Sequence, residues 1–190
     1  MERTYIQDKK FEREDFTAAE LPVADYENCV FLNCNLSSAD LSKRVFIECE
    51  FNFCNLSTAK LPGTAFKNVK FKNCKLLGLH FENCDQFLFE VDFDNCFLHL
   101  CSFYKLKLKK TRFKNSNLSE VDFTGADLSN CLLDDCDLTG AKFENTVLEK
   151  ADLRTARNYS IDPELNKIKK AKFSIHGIAG LLAKYDIEIE

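Results

Sequence analysis

An all-β solenoid with four corners per turn is the fold class this sequence predicts, and three observations predict it. From Phe11, every fifth residue is Phe, Leu or Tyr, through Phe16, Leu21, Tyr26 and Phe31 to Phe81. After a two-residue phase slip the count resumes at Leu88 and runs to Leu153, 29 positions without a miss. The residue two before each of these centres is small: Cys nine times, Ala seven times, and Ser, Thr or Val in seven more. Two residues after the centre, the four glycines of the repeat (Gly63, Gly78, Gly125, Gly140) share a slot with nine asparagines.

A period of five fits neither a helix nor a flat strand; it describes a coil that turns a corner once per repeat. The centre and the small residue before it point inward together, since a narrow packed interior needs a large side chain beside a small one. Gly and Asn tolerate positive φ, so their slot is the corner. Four corners close a turn of 20 residues, and turns stack at about 4.8 Å. The 29 repeats make about seven turns, a rod of roughly 34 Å at that spacing.

Along the chain, residues 1–8 are a charged lead-in, 9–155 the β-helix, and 156–190 a C-terminal capping or dimerisation segment. The slip spans Glu82 to Phe87 and predicts a bulge or kink rather than a long loop. Aligning the inward slots by turn puts eight of the nine core cysteines, such as Cys34, Cys54 and Cys74, on two adjacent faces, where they act as small buried hydrophobes. Cys84 falls outside the slot and is expected to be the most accessible thiol. Arg44, Gln86 and Leu106 interrupt one column. Arg44 cannot sit unpaired in an apolar core, so a local distortion that takes it to solvent or a carboxylate is expected. After Leu153 the period ends. Tyr159 to Pro163 links coil to tail, and Ser174 caps a short α-helix whose stripe is Ile175, Ile178, Leu181, Leu182 and Tyr185. That stripe covers the last turn of its own rod or pairs with a second copy.

Composition excludes several classes. A formal net charge of −4 gives no overall basic balance for nucleic-acid binding. No apolar run is long enough to span a membrane, and the charged start is unlike a secretory signal; a cytoplasmic location is expected. There is no CxxC pair or His cluster for a metal, no phosphate loop, no HExxH and no nucleophile elbow. A filled coil offers no cleft. We expect no enzyme, no cofactor and no metal.

The segments ADLSK, ADLSN, CDLTG, AKFEN and ADLRT resemble the A(D/N)LXX consensus of the pentapeptide repeat proteins. The resemblance covers residues 9–155 and implies a right-handed quadrilateral parallel β-helix. The tail, RNYSIDPELNKIKKAKFSIHGIAGLLAKYDIEIE, resembles that of the Qnr, MfpA and AlbG branch. That likeness implies an end-to-end homodimer that binds DNA gyrase or topoisomerase IV and relieves quinolone or toxin poisoning, without direct nucleic-acid binding. The chain lacks the extended loops of some Qnr proteins.

Two surfaces are candidates for partner contact. Between Ser116 and Glu149 lie eight acidic residues against Lys142 alone, including Glu120, Asp122, Asp127, Asp134, Asp135 and Asp137. An acidic rod could present charge as a phosphate backbone does; equally, Asp belongs to the repeat consensus and keeps the rod soluble. Phe87, Phe89, Phe97 and Tyr104 occupy outward slots around the slip, either as an exposed contact site or as local packing of a kinked turn. Just before the acidic stretch, Lys105 to Lys114 carries six basic residues and no acidic one. The two functions in contention are a non-catalytic topoisomerase-binding protein and a generic interaction scaffold with an unrelated partner.

Overall fold

In a computed structural model, which describes residues 4–185 and 187–188, the chain is a right-handed parallel β-solenoid of about eight turns. Two ladders run along it. A nine-stranded sheet stacks Lys10–Glu12, Val30–Leu32, Glu50–Asn52, Val69–Lys72, Val91–Asp94, Arg112–Lys114, Leu132–Asp134, Asp152–Leu153 and Lys172–Phe173, all parallel. A four-stranded sheet stacks Thr4–Gln7, Ala24–Glu27, Val45–Ile47 and Ala65–Lys67. The other two sides are held by single parallel bridges such as Asn35↔Asn55 and Asp40↔Lys60. Each side is named below by one of its centres: the Phe31, Leu36, Leu41 and Tyr26 faces, in chain order. Pairing begins at Thr4 and reaches Phe173, beyond both ends of 9–155, which is why the rod has more turns than the repeat count gives. Residues 1–3 of the lead-in lie outside the described residues.

The corner slot takes the conformation its composition requires: Asn28, Asn33, Asn73 and Asn95 have φ of 49°, 53°, 54° and 52°. Inside, centres stack on centres. Phe31 lies 4.7 Å from Phe11 and 4.6 Å from Phe51, nearly coplanar with both, and meets Tyr26 and Phe46 edge-on. Such pairs add about 0.5–1.5 kcal/mol each beyond burial. The small inward slot is also a hydrogen-bonding position. Its polar atom donates to the carbonyl of a centre 23 residues earlier: Cys54 Sγ to Phe31 O at 3.3 Å, Thr64 Oγ1 to Leu41 O at 2.7 Å, Thr146 Oγ1 to Phe123 O at 2.8 Å.

Arg44 obeys the same rule and corrects the expectation that it escapes the core. It is 3% exposed. Its Nε donates to Leu21 O at 2.8 Å, a second guanidinium nitrogen donates to the same carbonyl, and Nη1 reaches Ser42 O at 3.1 Å. Backbone carbonyls take the place of solvent or a carboxylate.

The slip lies later than 82–87. Asp85 still pairs with Ala65, twenty residues back, whereas Val91 pairs with Val69, twenty-two back. The two extra residues therefore fall within 86–90, after a single 3-10 turn at Phe81–Asn83. Three expectations change with this boundary. Cys84 follows Thr64 in the inward column and is buried, so it is not an accessible thiol. Gln86 is exposed rather than inward. Leu88, which fits the count, sits at a corner with φ 58° and is 64% exposed. Phe89 replaces it inside, its ring 6.4 Å from Phe66 and 6.3 Å from Phe81.

The tail also departs from expectation. Tyr159 and Ile161 are buried as continuations of the coil rather than parts of a linker. Ser174 does cap, its Oγ accepting from Gly177 N at 3.1 Å, but the segment it opens is 3-10, over Ile175–Leu181 and Ala183–Tyr185, not α. Gly177 and Gly180 weaken α-helix formation and let the segment press on Tyr159: an added Cβ would lie 2.2 Å from the Tyr159 hydroxyl at Gly177 and 2.3 Å from its carbonyl oxygen at Gly180.

Candidate partner-binding surfaces

The interior is filled by packed side chains, so any recognition chemistry lies on the faces and ends. Among the described residues, no group of three or more His, Cys, Asp or Glu could hold a metal ion, and no helix is long and apolar enough to cross a membrane.

The turn geometry first assigns a structural duty to the consensus Asp or Asn that precedes each centre. Its side chain accepts the backbone N–H two residues on: Thr124 N to Asp122 at 2.8 Å, Ser129 N to Asp127 at 3.0 Å, Thr139 N to Asp137 at 3.1 Å. Asn35, Asn55 and Asn117 do the same with a neutral amide. Hydrogen bonds from the Thr139 hydroxyl and Asn158 hold the Asp137 carboxyl below its ordinary pKa. Burial alone would raise Asp127, but bonds from Ser129 and the Lys109 ammonium, 3.2 Å away, outweigh it and lower it.

The six candidate carboxylates do not form one stripe. Register puts Asp134 on the Phe31 face opposite Lys114, with Asp135 at the corner that follows. Asp122 is on the Leu41 face between Ser102 and Lys142, and Asp127 on the Tyr26 face between Lys107 and Val147. Asp137 is on the Leu36 face, and Glu120 occupies the corner after it. The Asp134 carboxylate accepts the Thr155 hydroxyl of the next turn.

Nor do the four aromatics share a patch. Phe87 lies in the 86–90 bulge, 67% exposed, with the Lys67 ammonium 5.5 Å from its ring centre. Phe89 is half-buried against the core. Tyr104 is beyond the Leu41 face, 4.8 Å from the Lys105 ammonium. Phe97 is on the Leu36 face, bridged between Lys75 and Asn117.

What the fold brings together is on that last side. Phe97, Asn117 and Asp137 stack in successive turns, and Leu100 precedes Glu120 at the adjoining corner. Leu77 and His99 lie alongside, His99 Nδ1 being 2.8 Å from Ser119 Oγ. The Leu36 face thus carries one predicted aromatic and two predicted carboxylates within a few turns. Leu77 and Leu100 escape sequence reading because it followed inward columns; the outward column Asn35, Asn55, Lys75, Phe97, Asn117, Asp137 shows the same break in an amide ladder.

At the C-terminal end, Leu181 packs on the core, whereas Ile175, Ile178 and Tyr185 are exposed, Ile175 by 78%. Lys184 ties the segment down through Asp162 and Glu164, at 2.9 and 2.7 Å. A hollow of about 520 Å³ opens beside it, lined by Arg154, Arg157, Tyr159, His176 and Gly180 among others.

The profile described as Pentapeptide repeats matches residues 49–85 and 116–154, in eight copies. No curated protein sequence matches the chain. Among solved structures, full-length QnrB1, described as a plasmid-mediated fluoroquinolone resistance protein, is similar at 20% identity and a TM-score of 0.55, over 96% of this chain and 100% of that one. HetL of the cyanobacterium Nostoc, described as involved in heterocyst differentiation regulation, is similar at 18% identity and a TM-score of 0.39, over 90% of this chain and 87% of that one. Rfr23 of the cyanobacterium Cyanothece has 20% identity and a TM-score of 0.23, over 78% and 88%.

Proposed function

We propose that this chain, which the Pentapeptide repeats profile matches over residues 49–85 and 116–154, is a non-catalytic binding protein whose partner is a type II DNA topoisomerase, gyrase or topoisomerase IV. The observation that carries the binding role is the filled core: with centres and inward slots buried from Leu21 to Leu153 except in the 86–90 bulge, the flat faces are what the rod offers a partner. The tail that resembles the Qnr, MfpA and AlbG branch supports the choice of partner. So does the end-to-end likeness in fold to a fluoroquinolone resistance protein.

The contact surface in this reading is the Leu36 face, where Phe97, Leu77 and Leu100 supply apolar anchors and Glu120 and Asp137 flank them. An aromatic core with a polar rim is the composition of protein interfaces. The DNA-mimic variant needs carboxylates along one line, and their spread over four sides favours this mixed surface over it. Exposed Ile175, Ile178 and Tyr185 support a homodimer joined through the C-terminal ends.

Supercoiling by purified gyrase, with and without ciprofloxacin, tests the reading. Rescue from the drug, or inhibition of supercoiling, that is lost in Phe97→Ser and Glu120→Gln/Asp137→Asn is the expected result. No effect up to tens of micromolar protein, weaker than a useful affinity, rejects it and leaves a scaffold with another partner.

A further inference from the structure

The Tyr26 face changes character beyond the slip. Its outward slots there carry Lys107, Lys109, Lys167 and Lys169, with Lys110, Lys150 and Lys170 at the corner that follows and Lys105 at the corner before it. Lys107, Asp127, Val147 and Lys167 lie in direct register, and backbone bonds from Lys110 to Ser129, Asn130 to Glu149 and Lys150 to Lys169 fix the neighbouring rows. Eight lysines therefore face two carboxylates, Asp127 and Glu149, on one side of a chain whose net charge is −4. All eight are exposed. Of the eight, only Lys109 has an ion pair among the described residues, with Asp127.

The neighbouring Phe31 face handles cations differently. Lys72 pairs with Glu50 at 2.6 Å, Arg112 with Asp92 at 2.6 Å and Lys172 with Asp152 at 3.7 Å, each across adjacent turns. On the lysine face only Lys150 and Lys170 follow one another in adjacent turns, the arrangement in which like charges across strands destabilise a sheet.

We propose that this lysine face binds the phosphate backbone of duplex DNA without reading its sequence. Protein interfaces are depleted in Lys and anchored by aromatics and Arg; these slots contain neither, and lysines acting as point charges suit phosphates. A flat sheet face cannot enter a groove, so base edges stay out of reach. Three turns separate Lys107 from Lys167, roughly 14 Å at the stacking distance, a length of duplex that carries about eight phosphates. The acidic remainder of the rod does not oppose this, because charges farther than about 10 Å are screened at moderate salt. The net charge, which argues against nucleic-acid contact, averages over faces that the fold keeps apart.

Fluorescence anisotropy of a labelled duplex of about 20 base pairs, titrated with the full chain, tests the proposal. Binding is expected at 50 mM salt and, with five lysines engaged, weakens about 500-fold by 200 mM, a log–log slope near −4.5. Replacing Lys107, Lys110, Lys167 and Lys170 by Gln flattens that slope by about 3.6, while Lys70→Gln/Lys114→Gln on the Phe31 face leaves it close to the wild-type value. Unchanged far-UV circular dichroism shows that the variants fold, as expected for side chains without partners. No binding at 50 mM salt overturns the proposal. So does equal loss in the Phe31-face variant. Displacement of the duplex by polyglutamate at equal charge concentration overturns it in favour of an acidic protein partner.

Discussion

Arg44 donates from two guanidinium nitrogens to the carbonyl of Leu21, 23 residues back and one turn below. Thr64 makes the equivalent bond to Leu41 from the same column. The inward slot is therefore small for packing and polar for the carbonyl above which it sits, which is why Cys, Ser and Thr recur there. Arg44→Thr and Arg44→Val differ by one hydroxyl at equal volume, so comparing them isolates the bond. Urea unfolding should show the Thr variant more stable by about 1 kcal/mol, the ordinary worth of a buried hydrogen bond. Equal stabilities would mean the Leu21 carbonyl is satisfied some other way.

The thiols follow from the same slot. All ten cysteines are buried and free. Burial pushes Cys49, Cys101 and Cys136 to about 12 and raises Cys84 as well. Burial keeps the reagent from every thiol, whatever the ease of forming the reactive thiolate, so folded protein at pH 8 should react with Ellman's reagent at none of its ten cysteines within minutes, and at all of them in guanidinium. Rapid labelling of Cys84 in the native protein would restore it to the surface.

At the slip, Phe89 fills the core beside Phe66 while Leu88 points to solvent at positive φ. Phe89→Ala should cost about 1–3 kcal/mol, less than a fully buried Phe. Leu88→Asn should be neutral or stabilising, because Asn tolerates that conformation. A larger loss from Leu88 than from Phe89 would reverse the assignment.

Much of the fold is legible because the pattern repeats: an error at one centre is outvoted by its neighbours, and the corner slot shows itself through Gly and Asn. Legibility fails where one residue must decide. Leu88 and Phe89 both belong to the core alphabet, and only pairing across turns selects between them. Tyr159 sits in a stretch without period. A Ser cap followed by apolar residues three apart reads as α or 3-10 alike, until glycines at 177 and 180 are seen to admit Tyr159. The candidate surfaces were harder still, because neighbours in sequence such as Asp134 and Asp137 lie on different sides while Phe97 and Asp137, forty residues apart, share one.

Asp137 separates charge from structure. Its folded pKa is lowered by bonds from Thr139 and Asn158. The stability it contributes is therefore present above its unfolded value of about 3.9 and is lost as pH falls through the lower folded value. Asn in the same slot makes the same turn bond at Asn55 and Asn117. Asp137→Asn should keep the wild-type melting temperature at pH 7 and lose less of it between pH 5 and pH 2, whereas Asp137→Ala should melt lower at both ends. A pH profile of the Asn variant that parallels wild type would remove Asp137 from acid unfolding.

The C-terminal segment depends on two missing side chains. Gly177 faces the Tyr159 hydroxyl and Gly180 its carbonyl, each too near for a Cβ. The Tyr159 ring in turn lies 5.7 Å from that of Phe173, the last strand of the nine-stranded sheet. Gly180→Ala meets rigid backbone and should cost about 1–3 kcal/mol, as overpacking does, concentrated at the rod's end: hydrogen exchange should quicken around Ile161, whose N–H bonds to Gly180 O, with the turns near Phe71 unchanged. If Ile175, Ile178 and Tyr185 also join two copies, the same substitution should lower the mass seen by light scattering toward one chain. Tyr159→Phe separates the two effects, since its hydroxyl has no hydrogen-bond partner among the described residues; it should leave the segment docked and the mass unchanged. Loosening of the segment by Tyr159→Phe would show instead that the hydroxyl, and not the close backbone fit, holds it.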